Sequence, residues 1–285
     1  MKIGNRDFDL TNNTYIMGIL NVTPDSFSDG GSHYTVDDAL RRTEAMIGEG
    51  ADIIDIGGES TRPGSDYVSA DQEMARIIPV LDAIKREFVI PVSIDTYKAE
   101  TAEESLKHGA DLINDIWGLK YDQGQMASTI AKYNVPCVLM HNRKVTTPTK
   151  TTTINTYYDN IIPDILTDLK ETIDLALKAG ISKDKIILDP GVGFAKTYED
   201  NLAVLNNLDK FMTLDYPVLL GCSRKSVIGN ALNLPVDDRV EGTLVTTMLA
   251  LVAGYSIVRV HDIKANRRVI DMYRIIRESD PITGP

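Results

Sequence analysis

The chain has 285 residues, of which 43% are hydrophobic and 25% charged, as in an ordinary globular protein. Its formal net charge of −11 argues against nucleic acid or an anionic membrane surface as a partner, because either would require a basic face. No apolar run approaches the ~20 residues of a membrane span, and the polar start, MKIGNRDFDL, contains no signal core. Cys137 and Cys222 lie in apolar runs, where buried reduced thiols are expected. These features predict a cytoplasmic enzyme.

Short apolar runs recur along the chain as the strands of a parallel sheet would. There are eight of them, at Tyr15–Leu20, Ile53–Ile56, Val92–Ile94, Leu112–Ile113, Val135–Met140, Ile186–Leu188, Val218–Leu220 and Ile257–Val260. Continuous apolar runs of this length are typical of strands that are buried on both faces.

Helical patterns separate these runs. Thr35 with Asp38, and Ser69 with Gln72, have the spacing of capping boxes and mark the starts of two helices. Apolar residues at helical spacing mark a longer helix that stops before Gly180.

Eight strands alternating with helices predict an α/β fold, namely a (β/α)8 TIM barrel, as a single domain over residues 1–285 with a core at about 15–278. The alternative is an open doubly wound sheet. A dinucleotide fold would place Gly-x-Gly-x-x-Gly after the first strand, whereas here Asn21 follows it. Gly191 and Gly193 occur after the sixth strand and lack a third glycine. The sequence therefore favours the barrel.

Two long polar segments, 22–34 and 60–69, follow strands and precede helices. Loops of this kind on the catalytic face of a barrel often close over a substrate. The threonine-rich segment 145–156 is also predicted to be a loop.

Polar residues that end the candidate strands would gather on one face of a barrel. They are Asn21, Thr61, Arg62, Asp95, Asn114, His141, Asp189, Arg224, Lys225, Arg259 and His261. The cations suit a multiply charged anion such as pyrophosphate, because arginine forks match phosphate oxygens. The acids and the amide suit a planar heterocycle with several donors and acceptors.

Each of these residues also has a purely structural interpretation. Arg259 and His261 could form an ion-pair network with Asp262, and Asp95 and Asp189 could cap the helices that follow them. Equivalent placement at successive strand ends argues for a shared site instead. No spacing of His, Cys and Asp indicates a tight zinc site, and no Ser-His-Asp or Cys-His arrangement indicates a covalent nucleophile.

Several motifs together resemble the dihydropteroate synthase family. They are MGILNVTPDSFSDGG at 17–31, DIGGESTRPGS at 55–65, SIDT at 93–96, INDI at 113–116, LDPGVGFAK at 188–196, SRKSVIG at 223–229 and RVHD at 259–262. The resemblance extends from Tyr15 to about Glu278. The segment that begins at His141 is less typical of the family, and the role of His141 stays open.

The resemblance implies a transferase of folate biosynthesis and a sulfonamide target. Such an enzyme condenses 6-hydroxymethyl-7,8-dihydropterin diphosphate with 4-aminobenzoate, and its products are 7,8-dihydropteroate and pyrophosphate. It further implies Mg²⁺ as a cofactor, small-molecule substrates and a homodimer.

The resemblance also assigns residues to subsites. Asp95, Asn114, Asp189 and Lys225 resemble the pterin site. Asn21, Arg62, Arg259 and His261 resemble the diphosphate site, with Asn21 also touching the metal. Thr61, Pro63, Phe194 and Ser226 resemble the aminobenzoate site, and Ser226 stands where a helix start would attract a carboxylate. Catalytic roles are expected for Asn21, Asp29, Arg62 and Lys225, with Asp29 close to the reacting carbon.

The amine is a weak nucleophile, so we expect catalysis to assist the departure of pyrophosphate, and we favour a dissociative route over direct displacement. Two other functions are considered. A methyltetrahydrofolate methyltransferase would have no diphosphate to bind, so Arg62, Arg259 and the SRKS motif argue against it. A catalytically silent pterin-binding protein is disfavoured by the intact basic strand ends.

Overall fold

The structure is a computed structural model and describes residues 1–23, 35–60, 65–146, 152–154 and 157–279. Within these ranges, eight parallel strands form one sheet in which neighbours follow the order of the sequence. They are β1 (Tyr15–Asn21), β2 (Ile53–Gly57), β3 (Val92–Asp95), β4 (Leu112–Asp115), β5 (Cys137–Met140), β6 (Ile186–Asp189), β7 (Leu219–Leu220) and β8 (Ile257–Val260).

The sheet closes on itself between β6 and β7. Leu188 forms a parallel bridge with Val218, and the Leu188 amide donates to the Pro217 carbonyl over 2.9 Å. An open doubly wound sheet would leave two free edges, so the prediction of a (β/α)8 barrel is confirmed.

Helices surround the barrel in the described ranges. They are α1 (Val36–Gly48), α2 (Ala70–Glu87), α3 (Ala99–Lys107), α4 (Gln125–Tyr133), α5 (Ile161–Lys178), α6 (Tyr198–Leu205), α7 (Leu208–Phe211), α8 (Ser226–Leu232), α9 (Val240–Ala253) and α10 (Ile263–Glu278). The capping boxes predicted at Thr35 and Ser69 are both present. No helix in these ranges combines the length and the apolar character needed to cross a membrane.

Two antiparallel hairpins accompany the barrel. One pairs Lys2–Ile3 with Arg6–Asp7, and the other pairs Lys144–Thr146 with Thr152–Ile154. The second hairpin lies in the segment predicted to be a loop, so that prediction is wrong for these residues. Its short strands are isolated from the barrel sheet and leave little hydrophobic pattern in the sequence.

Alternate residues of the barrel strands face the two sides of the sheet. Met17, Ile53 and Ile257 belong to an inner cluster, together with Ile3 and Phe8 from the start of the chain. Their neighbours along the strands pack instead with the surrounding helices. The N-terminal segment thus contributes apolar side chains to the interior of the barrel.

Asp52 ties this segment to the barrel. Its Oδ1 accepts a hydrogen bond from Arg6 over 3.0 Å, and its Oδ2 accepts from the Ile16 amide over 2.9 Å and from Arg267 over 2.5 Å. Because Asp52 precedes β2, this anchor lies at the amino ends of the strands. The carboxyl ends are left to the polar residues described next.

Candidate functional site

The described residues of the expected site lie at the carboxyl end of the barrel. Five of them are the last or next-to-last residues of strands, namely Asn21 in β1, Asp95 in β3, Asn114 in β4, Asp189 in β6 and Arg259 in β8. The others follow strands, namely Phe194, Lys225, Ser226 and His261. Asp29, Thr61, Arg62 and Pro63 lie outside the described residues.

Arg259 reaches across the barrel mouth from β8. Its Nε donates to Asp55 Oδ2 over 2.5 Å, and its terminal nitrogen donates to Asp95 Oδ2 over 2.6 Å. The Asn114 side-chain amide also donates to Asp55 Oδ2, over 3.2 Å. One guanidinium therefore joins three strands, and the amide of Asn114 is left with its oxygen as the acceptor for a ligand.

Asp55 was not predicted to belong to the site. It is fully buried, and its Oδ1 has no hydrogen-bond partner among the described residues. The signal was nevertheless present, because a charged residue interrupts the apolar run from Ile53 to Ile56 in a strand buried on both faces. Such a carboxylate requires a cationic partner, which here is Arg259.

The electrostatic consequence appears at Asp95. Burial raises the pKa of Asp95 to about 7, the nearby Asp55 carboxylate raises it too, and the Arg259 guanidinium counteracts both effects. Two buried carboxylates close to one arginine cannot both be ionised without cost. Without a ligand, the Asp95 carboxyl is therefore poised to exchange a proton near neutral pH.

A second acid and a base lie close together at the same end of the barrel, since Asp189 Oδ2 and Lys225 Nζ lie 3.5 and 4.0 Å from the point that a Cβ on Gly221 would occupy. The Gly191 amide donates to Asp189 Oδ1 over 2.7 Å, which fixes the carboxylate. Burial raises the pKa of Asp189, and the Lys225 ammonium opposes this shift. Burial in turn lowers the pKa of Lys225, and Asp189 opposes that shift. The two groups can therefore present one acceptor and one cation to the same ligand.

An apolar cluster lies next to Lys225 at this end of the barrel. Tyr97, Ile116 and Met140 form a cluster against which Trp117 and Phe194 pack. The Lys225 ammonium lies 4.5 Å from the centre of the Phe194 ring. Aromatic and aliphatic surfaces next to a few buried polar groups are typical of a site for a planar heterocycle.

Asp262 bears on two interpretations of the cations at this end of the barrel. Arg224 follows β7, as expected, and its guanidinium binds Asp262 through two hydrogen bonds of 2.9 and 2.6 Å, so its charge is already paired within the protein. The alternative that pairs Arg259 with Asp262 is wrong, because the Arg259 guanidinium binds Asp55 and Asp95. His261 has its Nδ1 3.0 Å from the hydroxyl of Ser223.

Ser226 is the first residue of α8 and is exposed, so the prediction that a helix starts there is confirmed. Lys225 precedes it as the N-cap. Its ammonium donates to the Val192 carbonyl and lies over the Phe194 ring, so the start of α8 stands next to these groups.

Asn21 was expected to touch a metal ion. Its Oδ1 and Asp95 Oδ2 lie 3.5 and 3.7 Å from the point that a Cβ on Gly57 would occupy, so both oxygens border the same space. In the described part of the chain, no group of three or more His, Cys, Asp or Glu is arranged to hold a metal ion. This oxygen donor set fits Mg²⁺ that is carried mainly by a substrate's phosphates.

His141, whose role the sequence left open, is buried. Its Nε2 lies 2.9 Å from Asp168 Oδ2 and its Nδ1 lies 3.0 Å from Lys196 Nζ. Burial and the Lys196 charge lower the pKa of His141 to about 3. A histidine that stays neutral at physiological pH between two fixed partners is not a general acid for the reaction.

Arg259→Ala should destabilise the fold in a pH-dependent way. The pKa of Asp95 is raised to about 7 in the folded state from an ordinary value of 3.8. This carboxyl therefore stabilises the fold most below about pH 4, and the contribution is lost as pH rises through about 7. Since Arg259 lowers the pKa of Asp95, its removal should extend the loss to higher pH.

Thermal unfolding between about pH 5 and about pH 9 measures this effect. The difference in Tm between wild type and Arg259→Ala should widen as pH rises. Arg239→Ala is the matched control, because the Arg239 guanidinium binds the carbonyl oxygens of Leu234 and Arg224, which do not titrate. A Tm difference for Arg259→Ala that stays constant with pH would contradict the assignment.

Comparison with known proteins agrees with this geometry. Residues 17–261 match the model of the family described as "Pterin binding enzyme". A dihydropteroate synthase of Clostridium beijerinckii is 55% identical over 277 residues, which are 97% of this chain and 99% of that protein.

Solved structures give the same result. The crystal structure of a Clostridium difficile dihydropteroate synthase in the presence of pteroic acid has a TM-score of 0.88 and 48% identity, and covers 96% of this chain and 100% of that chain. A Yersinia pestis dihydropteroate synthase in complex with a sulfonamide drug has a TM-score of 0.89 and 38% identity, and covers 98% of this chain and 99% of that chain. The chain therefore belongs to the pterin-binding enzyme family, and within it to the dihydropteroate synthases.

Proposed function

We propose that this protein condenses 6-hydroxymethyl-7,8-dihydropterin diphosphate with 4-aminobenzoate, forming 7,8-dihydropteroate and pyrophosphate. The observation that carries the proposal is the arrangement at the barrel mouth, where Arg259 binds Asp55 and Asp95 and where Asp189 and Lys225 lie close to each other. The pteroic acid present with the Clostridium difficile relative joins a pterin to 4-aminobenzoate, the two parts of the proposed product.

The pterin would occupy the pocket between the two charged clusters. Asp189 would accept N–H bonds from the amino-amidine edge of the ring through the oxygen that faces away from Gly191. Asn114 would accept through its side-chain oxygen, and Lys225 would donate to a ring acceptor. The apolar cluster that includes Phe194 excludes water and strengthens these hydrogen bonds. Asp95 would bind a further N–H group of the ring and become ionised as it does so.

The diphosphate would lie towards β1 and β8. Asn21, His261 and Arg259 are proposed to bind its oxygens, together with Arg62, which lies outside the described residues. Mg²⁺ held by Asn21 and the diphosphate would neutralise charge on the leaving group. The guanidinium of Arg259 would then face Asp55 and Asp95 on one side and the diphosphate on the other. It would therefore lie between the groups that bind the pterin ring and the diphosphate.

The aminobenzoate would bind beside the bound pterin. Its carboxylate is proposed to approach the start of α8 at Ser226, and its ring is proposed to contact Phe194. Thr61 and Pro63 complete the proposed subsite. This placement directs the amine towards the methylene carbon of the pterin.

The reaction exchanges one bond for another. The C–O bond between the pterin methylene and the diphosphate breaks, and its electron pair leaves with pyrophosphate. The nitrogen of 4-aminobenzoate forms the new C–N bond and releases its extra proton. We favour early C–O cleavage, because the cationic groups stabilise the departing oxyanion while the incoming amine is weakly nucleophilic. Asp29 is proposed to stabilise the pterin cation.

The proposed cytoplasmic location agrees with the state of the cysteines. Cys137 and Cys222 are both buried and unpaired, and a reducing compartment keeps thiols in this form.

We also propose that the chain forms a homodimer through α9 and α10. Apolar side chains on the outer face of these helices are largely exposed, among them Val245 at 60%, Val252 at 66% and Ile275 at 59%. An apolar patch shared by two adjacent helices is typical of a protein interface. In a symmetric dimer, the same patch on a second copy of the chain would cover it.

Sedimentation equilibrium should give twice the chain mass of 31.4 kDa. Val252→Glu should yield the monomer mass, because it places a charge in the apolar face. Val89→Glu is the control, since Val89 is 89% exposed and lies on another part of the surface. A monomeric wild type, or a dimer that persists in Val252→Glu, would contradict this interface.

Pyrophosphate release in the presence of both substrates tests the reaction itself. Wild type should release pyrophosphate and form dihydropteroate in equal amounts. Asp189→Asn should weaken pterin binding by roughly ten- to a hundred-fold. A charge-assisted hydrogen bond is lost, and the NH2 group of the asparagine would face an N–H group of the pterin. Asp184→Asn, an exposed change at the opposite end of β6, is the control. Unaltered pterin affinity in Asp189→Asn, measured by calorimetry, would restrict Asp189 to a structural role.

A sulfonamide should inhibit in competition with 4-aminobenzoate. It keeps the para-amino ring and replaces the carboxylate with a tetrahedral group that also has two acceptor oxygens. Steady-state kinetics at several aminobenzoate concentrations measure the pattern. The sulfonamide should bind weakly to the protein alone and tightly with pterin and pyrophosphate present. Noncompetitive inhibition would place the inhibitor elsewhere, and tight binding to the protein alone would contradict ordered binding.

A further inference from the structure

Lys196 belongs to the segment that connects β6 to α6, and its side chain folds back onto that segment. Its Nζ is within hydrogen-bonding distance of three acceptors: the Gly191 carbonyl at 2.9 Å, the Phe194 carbonyl at 3.1 Å and His141 Nδ1 at 3.0 Å. Burial lowers the pKa of Lys196 to about 7, whereas three acceptors around one nitrogen each stabilise its ammonium form. The side chain thus binds two carbonyls of its own loop and one histidine outside it.

The neighbours of His141 fix its protonation. Asp168 also binds the Arg143 guanidinium over 2.5 Å, and an ionised carboxylate can only accept hydrogen bonds. His141 must therefore donate through Nε2 to Asp168 and accept through Nδ1 from Lys196. In this tautomer, His141 Nδ1 accepts the third hydrogen bond of the Lys196 ammonium, and the two loop carbonyls accept the others.

The loop held by Lys196 carries two groups of the proposed site. The amide of Gly191 binds Asp189 Oδ1 over 2.7 Å, and the ring of Phe194 lies 4.5 Å from Lys225 Nζ. The backbone is also strained, since Ala195 has a left-handed φ of 48°, which non-glycine residues rarely adopt. A conformation of this kind persists only where surrounding contacts impose it.

We propose that Lys196 is a positioning residue for the pterin and aminobenzoate subsites, acting through the loop on Asp189 and Phe194 and oriented by His141. The inference rests on the proposed function. Lys196 fixes the loop through the carbonyls of Gly191 and Phe194, and these set the direction of the Asp189 carboxylate and the place of the Phe194 ring. The network from Asp168 through His141 supports Lys196 from the other side.

Lys196→Met tests the proposal, because methionine has similar length and cannot donate hydrogen bonds. Affinity for the dihydropterin alcohol should fall about ten-fold, as expected for the loss of charge-assisted bonds that hold a binding group. The KM for 4-aminobenzoate should rise by a similar factor. Lys185→Met is the matched control, since Lys185 donates to the Asn134 carbonyl at the other end of β6; both parameters should keep wild-type values.

Substitutions of His141 give a second, independent arm. In His141→Gln, the amide can accept from Lys196 and donate to Asp168, so pterin affinity should stay within about three-fold of wild type. His141→Leu can do neither and should resemble Lys196→Met. A merely space-filling role would instead favour the leucine or affect both variants equally. This arm decides the question even where Lys196→Met fails to fold.

Trp117 provides a readout that does not need turnover. It is the only tryptophan of the chain and packs in the same cluster as Phe194. Its emission should shift in Lys196→Met and His141→Leu, and not in Lys185→Met or His141→Gln. Unchanged pterin affinity, KM and Trp117 emission in Lys196→Met would overturn the proposal. Absence of pyrophosphate release by wild type would instead reject the proposed function, because alcohol binding and emission are measured without the reaction.

Discussion

The site depends on one guanidinium placed between two buried carboxylates. Arg259 comes from β8, and its partners Asp55 and Asp95 come from β2 and β3. Either carboxylate alone in this position would be expensive to bury, and the two together repel each other. The arginine offsets only part of the cost of burying and ionising both carboxylates, since the pKa of Asp95 still rises to about 7. A ligand that brings N–H donors to Asp95 would relieve the remaining cost.

The rest of the barrel is organised around that polar mouth. Apolar side chains from the strands and from the N-terminal segment fill part of the interior, and Asp52 fastens this segment near the amino ends of the strands. The charged groups of the proposed site lie at the opposite, carboxyl end. Asp189 and Lys225 lie near each other there, and Gly191, whose carbonyl binds Lys196, donates its amide to Asp189. The amino ends of the strands thus anchor the N-terminal segment, and the carboxyl ends carry the proposed site.

The sequence predicted the elements whose signals are local. The eight apolar runs correspond to the eight barrel strands, and the capping boxes at Thr35 and Ser69 stand at the starts of α1 and α2. Polar residues such as Asp95 and Asp189 could be located at strand ends because a parallel barrel brings all those ends together. The two-stranded hairpin beyond β5 was missed, since its strands are only three residues long.

The pairings within the site could not be read from the sequence. Arg259 and Asp55 are 204 positions apart, and no local pattern shows that they touch. For the same reason Arg224 was grouped with the anion-binding cations, although it binds Asp262. His141 stayed open because its partners, Asp168 and Lys196, come from two other segments. Each of these contacts depends on distances between strand ends that only the closed barrel fixes.

Proton exchange on ligand binding tests the central claim most directly. Calorimetric titration of the dihydropterin alcohol, which has no titrating phosphate, should be repeated near pH 7 in buffers of different ionisation enthalpy. If Asp95 is partly protonated in the free protein and ionised when bound, the heat should reveal proton release of roughly half an equivalent, and Asp95→Asn should abolish it. Binding heats that are independent of the buffer in wild type would contradict the account of the Arg259 cluster.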